Sequence, residues 1–382
     1  GLATTVPFGN STPGHPVGRA IRLDSGLLLG GTDERVSAGL NPQRQSSGGV
    51  WTLDPASTPP AMQDYPLPDA DVQRYGNSVY ASAKERPLAF TKTSGGEVWA
   101  VATYNTFNAH RPIIEGNDYS GDVAGLLAFD PQTGAPTGEL HFFGDTGTWL
   151  RGTFSASLSA RGNILTFVSP ALFVDDSTRE TGDRVWVVDL DSRDGTGTPA
   201  SNFALLSPDG GAVGDAWRAP FAPTLHTSSG DFYVMTLAAG MATDELRIHR
   251  MQVGASVATA PTLTTVVTGQ TDLPGTALFE ASDGLLYYGT QTGRLMRFDP
   301  SGPAVTEVAD LTVSGMTSDV RGFLSEGQPG VIMGIVADSS VEQSAVIRRA
   351  FAWTIATQGL TTVDVTEDVS DQDPFPGVTT LE

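Results

Sequence analysis

DGLLYYGTQTGRLMRFDPSGPAVTEVADL, Asp283 to Leu311, is the stretch on which the fold turns. An Asp-Gly turn leads into the apolar run Leu285–Thr290, and Thr292-Gly293 reverses the chain into Arg294–Phe298. Asp299-Pro300-Ser301-Gly302 then reverses it again into Ala304–Leu311. Glycine and proline stand where tight reversals need a permissive φ or a fixed one, so the stretch predicts an antiparallel meander. Ala277–Ser282 supplies one further strand ahead of it. Four strands cannot bury both faces of their sheet alone, so the unit must pack against copies of itself.

The chain contains such copies. A Gly-containing turn followed by an apolar strand recurs as SGLLLGG at Ser25, GGEVWAVATY at Gly95, RGNILTFVS at Arg161, SGDFYVMTL at Ser229, DGLLYYGT at Asp283 and PGVIMGIV at Pro329. Each is followed by a strand running towards a turn: VWTLDPAS at Val50, LLAFDPQTG at Leu126, VWVVDLDSRDG at Val185, LRIHRMQVG at Leu246, LMRFDPSG at Leu295 and FAWTIATQG at Phe351. Strict alternation of two landmarks predicts an all-β β-propeller of six blades, each of four antiparallel strands, spanning residues 20–366. Seven blades, if the wide spacing in blade two hides a degenerate unit, and a multi-sheet β-sandwich are the alternatives. The second strands (Val98–Ala102, Ile164–Val168, Val331–Val336) are apolar almost without alternation, as strands covered on both faces should be. Residues 1–19 read as an extended lead-in, and 367–382 as an acidic tail ending in a probable cloning scar, Leu381-Glu382. The first and last blades each have a full set of strands, so neither chain end is needed to complete the other's sheet.

With 22 basic and 43 acidic side chains the net charge is −21, which disfavours nucleic acid and anionic membranes as partners. No apolar run approaches the ~20 residues of a membrane-spanning helix. The absence of cysteine removes disulfide and thiolate chemistry. Richness in Thr, Ser, Gly and Ala with few lysines suits an exported bacterial protein, secreted, at the cell surface or periplasmic, and a monomer is expected.

In an antiparallel meander the connections between second and third strands leave by the same edge as those between blades. The former are long in blades one to three, at Asp33–Gly48, Tyr104–Ala124 and Ala171–Asp183, whereas blade five manages with Thr292-Gly293. Long loops on a rigid scaffold usually carry function. That edge therefore gathers the candidate ligand-binding residues Tyr75, Tyr104, His110, Tyr119, Trp149 and Trp217, with His226 on an innermost strand. Aromatic rings beside carboxylates and amides suit a saccharide, a peptide or a protein surface. Glu115, Asp118, Asp122, Asp175 and Asp176 crowd carboxylates into two adjoining loops, and calcium is the cation such oxygen donors would take. The bland reading, a solvated acidic rim, stands beside it.

Catalytic signatures are mostly missing: there is no G-x-S-x-G, H-E-x-x-H or Walker loop. His141 and His249 read as packing. Asp189, Asp191, Asp194 and Gly195 imitate the start of an EF-hand loop with the wrong spacing, and read better as a turn between third and fourth strands.

LYYGTQTGRLMRFDPSG (Leu286–Gly302) and LLAFDPQTGAPTGEL (Leu126–Leu140) resemble repeats of the quinoprotein-dehydrogenase-like and YncE-like bacterial propellers, in which G-x-L-x-x-x-D-x-x-T-G turns recur. The resemblance implies the fold. It implies no activity, because a cofactor-binding set and the tryptophan-docking pattern of true quinoproteins do not match. Two readings result: a non-catalytic recognition module, and a propeller hydrolase or lactonase with an axial divalent metal. Inner strands rich in acids, amides and histidine would favour the enzyme. Only His226, Glu280, Glu326, Asp24 and Glu85 offer themselves, so the recognition module is preferred.

Overall fold

The computed structural model describes residues 16–32, 49–58, 60–66, 70–72, 77–81, 89–106, 122–142, 158–169, 183–206, 216–239, 245–338 and 346–364. The first sheet runs β1 (Pro16–Arg22), β2 (Leu28–Thr32), β3 (Gly49–Asp54) and β4 (Ala61–Pro66). The second contains β5 (Ala70–Val72), β6 (Asn77–Ala81), β7 (Ala89–Lys92), β8 (Val98–Thr106), β9 (Asp122–Phe129) and β10 (Pro136–Phe142), and the third β11 (Ser159–Arg161), β12 (Ile164–Ser169), β13 (Arg184–Arg193) and β14 (Pro199–Leu205). The fourth holds β15 (Ala216–Arg218), β16 (Thr224–His226), β17 (Asp231–Ala239), β18 (Leu246–Gln252) and β19 (Thr262–Gln270). The fifth is β20 (Phe279–Glu280), β21 (Leu286–Gly289), β22 (Arg294–Phe298) and β23 (Val305–Asp310), and the sixth β24 (Ser318–Gln328), β25 (Val331–Asp338), β26 (Val346–Thr354) and β27 (Gly359–Asp364). Every pairing within these sheets is antiparallel and follows chain order except that β6 pairs with β8 and β15 with β17, and no helix occurs among the described residues. The architecture is the expected six-bladed all-β propeller. Among the described strands, no sheet combines the two chain ends.

Two compact units are distinguished, Gly1–Leu158 with Ser169–Glu180 and Leu381–Glu382, and Ser159–Val168 with Thr181–Thr380. In the second, consecutive sheets pack face to face. Phe232 and Val234 of β17 join the third sheet's Val185 and Val187, while Tyr233 and Met235 of the same strand join Leu286, Tyr288 and Phe298 of the fifth. Tyr287 and Leu295 look the other way, onto Ile332, Phe351 and Trp353 of the sixth. A second strand is thus apolar at every position because successive side chains enter two different seams. In the first unit Ile21, Leu29 and Val50 meet Phe90, Val98 and Leu127 across one such seam.

The recurring Asp-Pro after the third strand also has a local cause. Asp130 Oδ1 accepts hydrogen bonds from the Gln132 and Thr133 amides at 2.9 and 2.8 Å, and Asp299 Oδ1 from the Ser301 amide at 2.8 Å. Asp194 Oδ1 does the same for Thr196 and Thr198 at 2.8 and 3.0 Å, so the EF-hand-like run ends in a turn between β13 and β14, with Asp189 and Asp191 inside β13 itself. Such side-chain-capped turns start with Asp because its carboxylate replaces a backbone acceptor.

Two features depart from the plain four-stranded pattern. Innermost strands are broken by bulges: Val17 and Ile21 pair with Gly31 and Leu29, and Arg321 and Ser325 with Ile335 and Met333. Four inner-strand positions there span two of the partner strand. In sheets two and four the part before the break becomes a separate strand, β6 and β15. The wide spacing in blade two is thus an added hairpin, β5–β6, and not a seventh blade.

Candidate functional site

Where the second and third strands connect, the blades differ most. Thr290 to Gly293 suffice in the fifth, its turn closed by Gly293 at φ 76° and by the Thr290 amide donating to Arg294 O at 2.9 Å. Strands β2 and β3 end and resume at Thr32 and Gly49, β8 and β9 at Thr106 and Asp122, and β12 and β13 at Ser169 and Arg184. The intervening segments contain His110, Tyr119, Glu115, Asp118, Asp175 and Asp176, all outside the described residues, as are Tyr75 and Trp149.

Backbone register places the remaining rim candidates. Tyr104 lies on the far half of β8, opposite Val123 of β9 and Ala81 of β6. Asp122 opens β9 and stands opposite Asn105, which in turn stands opposite Tyr80. Tyr104 and Asp122 thus belong to one extended sheet. Trp217 is the middle residue of β15, opposite Ala238. Sequence reading places Tyr80 on blade two's inner strand and Asn105 in the long loop, and does not foresee that β6 and β8 set the two opposite each other.

At the opposite edge His226 closes the innermost strand β16 and is buried. Its Nε2 lies 3.0 Å from the Gly284 carbonyl of the fifth blade, and its Nδ1 2.8 Å from Ser229 Oγ. A carbonyl only accepts, so Nε2 carries the proton and Nδ1 receives the Ser229 hydroxyl. Ser228 Oγ, 3.0 Å from Nε2, consequently faces an N–H and not a basic nitrogen. The nucleophile–base pairing that Ser228 and His226 suggest at first sight is therefore not set up.

Corresponding positions on other innermost strands do similar work. Glu280 Oε1 and Oε2 both accept from the Thr227 amide, at 3.0 and 2.9 Å, and Oε1 also accepts from its hydroxyl. Glu326 accepts from the Ser282 amide and hydroxyl at 2.9 and 2.6 Å, and from the Gly330 amide. Arg161 donates to the Gly230 carbonyl, and Lys92 to Asp24. These ends of the strands join one blade to the next. Among the described residues no three His, Asp or Glu side chains come together as a metal cluster. His249 is fully buried between Thr236 and Thr265 hydroxyls at 2.7 and 3.0 Å, and His141 lies 2.8 Å from Glu139, consistent with packing.

One acid stands apart. Asp319 on β24 is 3% exposed, its Oδ2 accepts from Arg321 Nε, and its Oδ1 has no partner. Burial raises its pKa above the usual carboxylate value, more than the Arg321 charge lowers it. No second acid shares the position, so it offers no acid–base pair.

No family model matches the chain, and no curated protein matches it. Solved propellers are similar in fold. The puromycin-hydrolysing peptidase of Mycobacterium tuberculosis is 11% identical over 94% of this chain, with a TM-score of 0.42; the chain spans only 56% of its length. The GH93 α-L-arabinofuranosidase of Fusarium graminearum, in complex with arabinobiose, is 12% identical over 90% of this chain and 94% of its own, at 0.49. The Dos1 propeller is 12% identical, covering 96% and 90%, at 0.45.

Proposed function

We propose that the protein is a non-catalytic recognition module that binds a saccharide, peptide or protein on the long-loop edge of blades one to three. The observation that carries this reading is the contrast between the two edges. At one, His226, Glu280 and Glu326 are consumed in bonds between blades. At the other, sheet two is lengthened by β5 and β6 and gathers aromatic, amide and acidic positions. The hydrolase or lactonase reading needs those inner-strand groups free for a metal or substrate, and gains no support. Composition favours a secreted, cell-surface or periplasmic protein, and a monomer is the state we propose for it. Likeness to the quinoprotein-like repeats bears on the fold and supplies no cofactor. The direct test replaces residues 107–121 by a two-residue Thr-Gly turn like that of blade five and compares binding to arrayed glycans and immobilised peptides. Binding should vanish while the melting temperature stays put. A variant that binds as before would end the proposal.

Calcium belongs to the same reading. Glu115, Asp118, Asp122, Asp175 and Asp176 supply only oxygen donors, as a hard cation requires; Asp122, at the first position of β9, is the one among the described residues. A bound ion should raise the melting temperature in the wild type and leave the Asp175→Asn, Asp176→Asn double variant unchanged. Equal melting of both proteins with calcium and with chelator would reduce the rim to a solvated surface.

A further inference from the structure

The outermost strands differ in how their free edges are guarded. The pairings that hold β10, β14, β19 and β23 are each interrupted by a register shift, at Pro136/Leu140, Asp189/Arg193, Leu246/Ile248 and Leu295/Met296. Strand β4 keeps an unbroken register, but carries Asp64 and ends on Pro66. Bulges, charges and proline are the devices that keep a sheet edge from pairing with another chain. Strand β27 lacks them. Its register runs unbroken from Asp364 opposite Arg349 to Gly359 opposite Thr354. Its one charge, Asp364, is its last residue and accepts from Arg349 Nε at 2.7 Å. All six residues of β27 are exposed, whereas β14, β19 and β23 each turn some positions inward. Leu360 and Val363 are 40% and 64% exposed, large values for apolar side chains. They stand three apart and so point to opposite faces, Leu360 opposite Trp353 and Val363 opposite Ala350. Among the described residues no strand pairs with the outer side of β27.

We propose that the outer edge of β27 takes up an extended segment of another protein as a fifth, antiparallel strand with a basic N-terminal end. An added strand satisfies the free N–H and C=O groups of the edge, and its β-branched side chains flank Leu360 on one face and Val363 on the other. The antiparallel sense continues the pattern of the whole sheet. It also sets the polarity of the partner. The incoming segment's N-terminal end meets Asp364, from which the chain runs on into Glu367, Asp368, Asp371 and Asp373. Lysine and arginine at that end answer this run of acids. The same acids, on a chain of net charge −21, oppose a second copy of this protein at the edge. This surface belongs to blade six and is separate from the long-loop edge of blades one to three, so neither proposal depends on the other.

Fluorescence anisotropy of the full chain with the labelled peptide KRKTVTVTV tests it. The comparison probes are the reversed VTVTVTKRK, the acidic EDETVTVTV, and KRKTVTVTV with its TVTVTV half N-methylated. KRKTVTVTV should bind, and each of the other three at least tenfold more weakly. The double variant Leu360→Lys, Val363→Lys should also weaken KRKTVTVTV at least tenfold with its melting temperature unchanged, because both side chains are exposed. Replacing residues 107–121 should leave this binding as it was. No binding of KRKTVTVTV overturns the proposal. Equal binding of the reversed or N-methylated peptide reduces the interaction to charge attraction and overturns it too. Binding that ignores the lysine variant but is lost on the loop replacement belongs to the long-loop edge, which sinks the β27 site and upholds the recognition reading. A wild type that sediments as a dimer, and a lysine variant that sediments as a monomer, would give the edge to a second copy instead.

Discussion

Blades five and two are built from the same meander and have diverged in opposite directions. Blade five is reduced to its scaffold: four strands, turns of four to six residues, and side chains that enter one seam or the other. Blade two keeps that scaffold in β7–β10 and adds a hairpin and a long connection at one edge only. The difference teaches where sequence is constrained. Interior positions of the meander answer to packing on two faces, and that double demand is what every copy of the unit preserves.

The largest effect should follow from emptying a seam. Phe298 is fully buried, its ring 5.5 Å from that of Tyr233 in the neighbouring blade. Phe298→Ala should cost about 3–5 kcal/mol, through lost burial and a cavity between rigid sheets. Gln132→Ala, at an exposed position in the outer turn of blade two, should stay within about 0.5 kcal/mol. Chemical denaturation of both variants checks the pair, and comparable losses would erase the division between scaffold and edge.

A smaller effect separates two glycines of the blade-five region. Gly275 lies where the inner segments of the fifth and sixth blades converge, and a Cβ there would sit 2.1 Å from the Val320 carbonyl oxygen. That neighbour is backbone and cannot turn aside, so Gly275→Ala should cost about 1–3 kcal/mol. Gly302, in the outer turn, has nothing within 4 Å of the same atom, and Gly302→Ala should be close to neutral. Equal melting temperatures for the two variants would mean that the inner segments are less tightly apposed.

How much of this was legible beforehand follows the same division. Arg294–Phe298 was read to the residue, and β27 was foreseen as blade six's own outer strand, because turn chemistry and double-sided burial leave local marks. The bulges of the innermost strands left none: extra residues between Val17 and Ile21, or Arg321 and Ser325, look like ordinary strand. The hairpin at Ala70–Ala81 was hidden for a related reason. Ser78–Phe90 reads as one inner strand of blade two, and neither its break into β6 and β7 nor the short strand ADV that pairs with β6 shows a periodicity of its own. The roles of Glu280 and Glu326 were equally invisible, since what they accept comes from the turn of the preceding blade, and sequence does not show the width of a seam.

The subtlest expected effect is in acid, where turn and seam should respond with opposite signs. Asp130 and Asp299 are held below the ordinary aspartate value of 3.8: for Asp130 by the Thr133 and Gln132 amides, for Asp299 first by the Ser301 hydroxyl and then its amide. A carboxyl whose folded pKa is depressed stabilises the fold above the unfolded value and loses that contribution as pH falls through the folded one. Both Asp are almost wholly exposed, so the change is small. Asp299→Asn keeps an acceptor for the turn and removes the proton, and should flatten the acid limb below about pH 4 without altering stability at pH 7. Asp319 runs the other way. Its folded pKa is raised, so its stabilising contribution is present below about pH 3.9 and is lost as pH rises through the folded value. Asp319→Asn removes a buried charge with one unpartnered oxygen, and Arg321, about one-third exposed, can be hydrated in its place. The variant should therefore gain stability relative to wild type near neutrality, with the advantage shrinking as pH is lowered towards 4. Urea denaturation of wild type and both variants between pH 3 and pH 7 measures all of this. A loss of stability for Asp319→Asn at pH 7 would show that the ion pair with Arg321 outweighs the cost of burial.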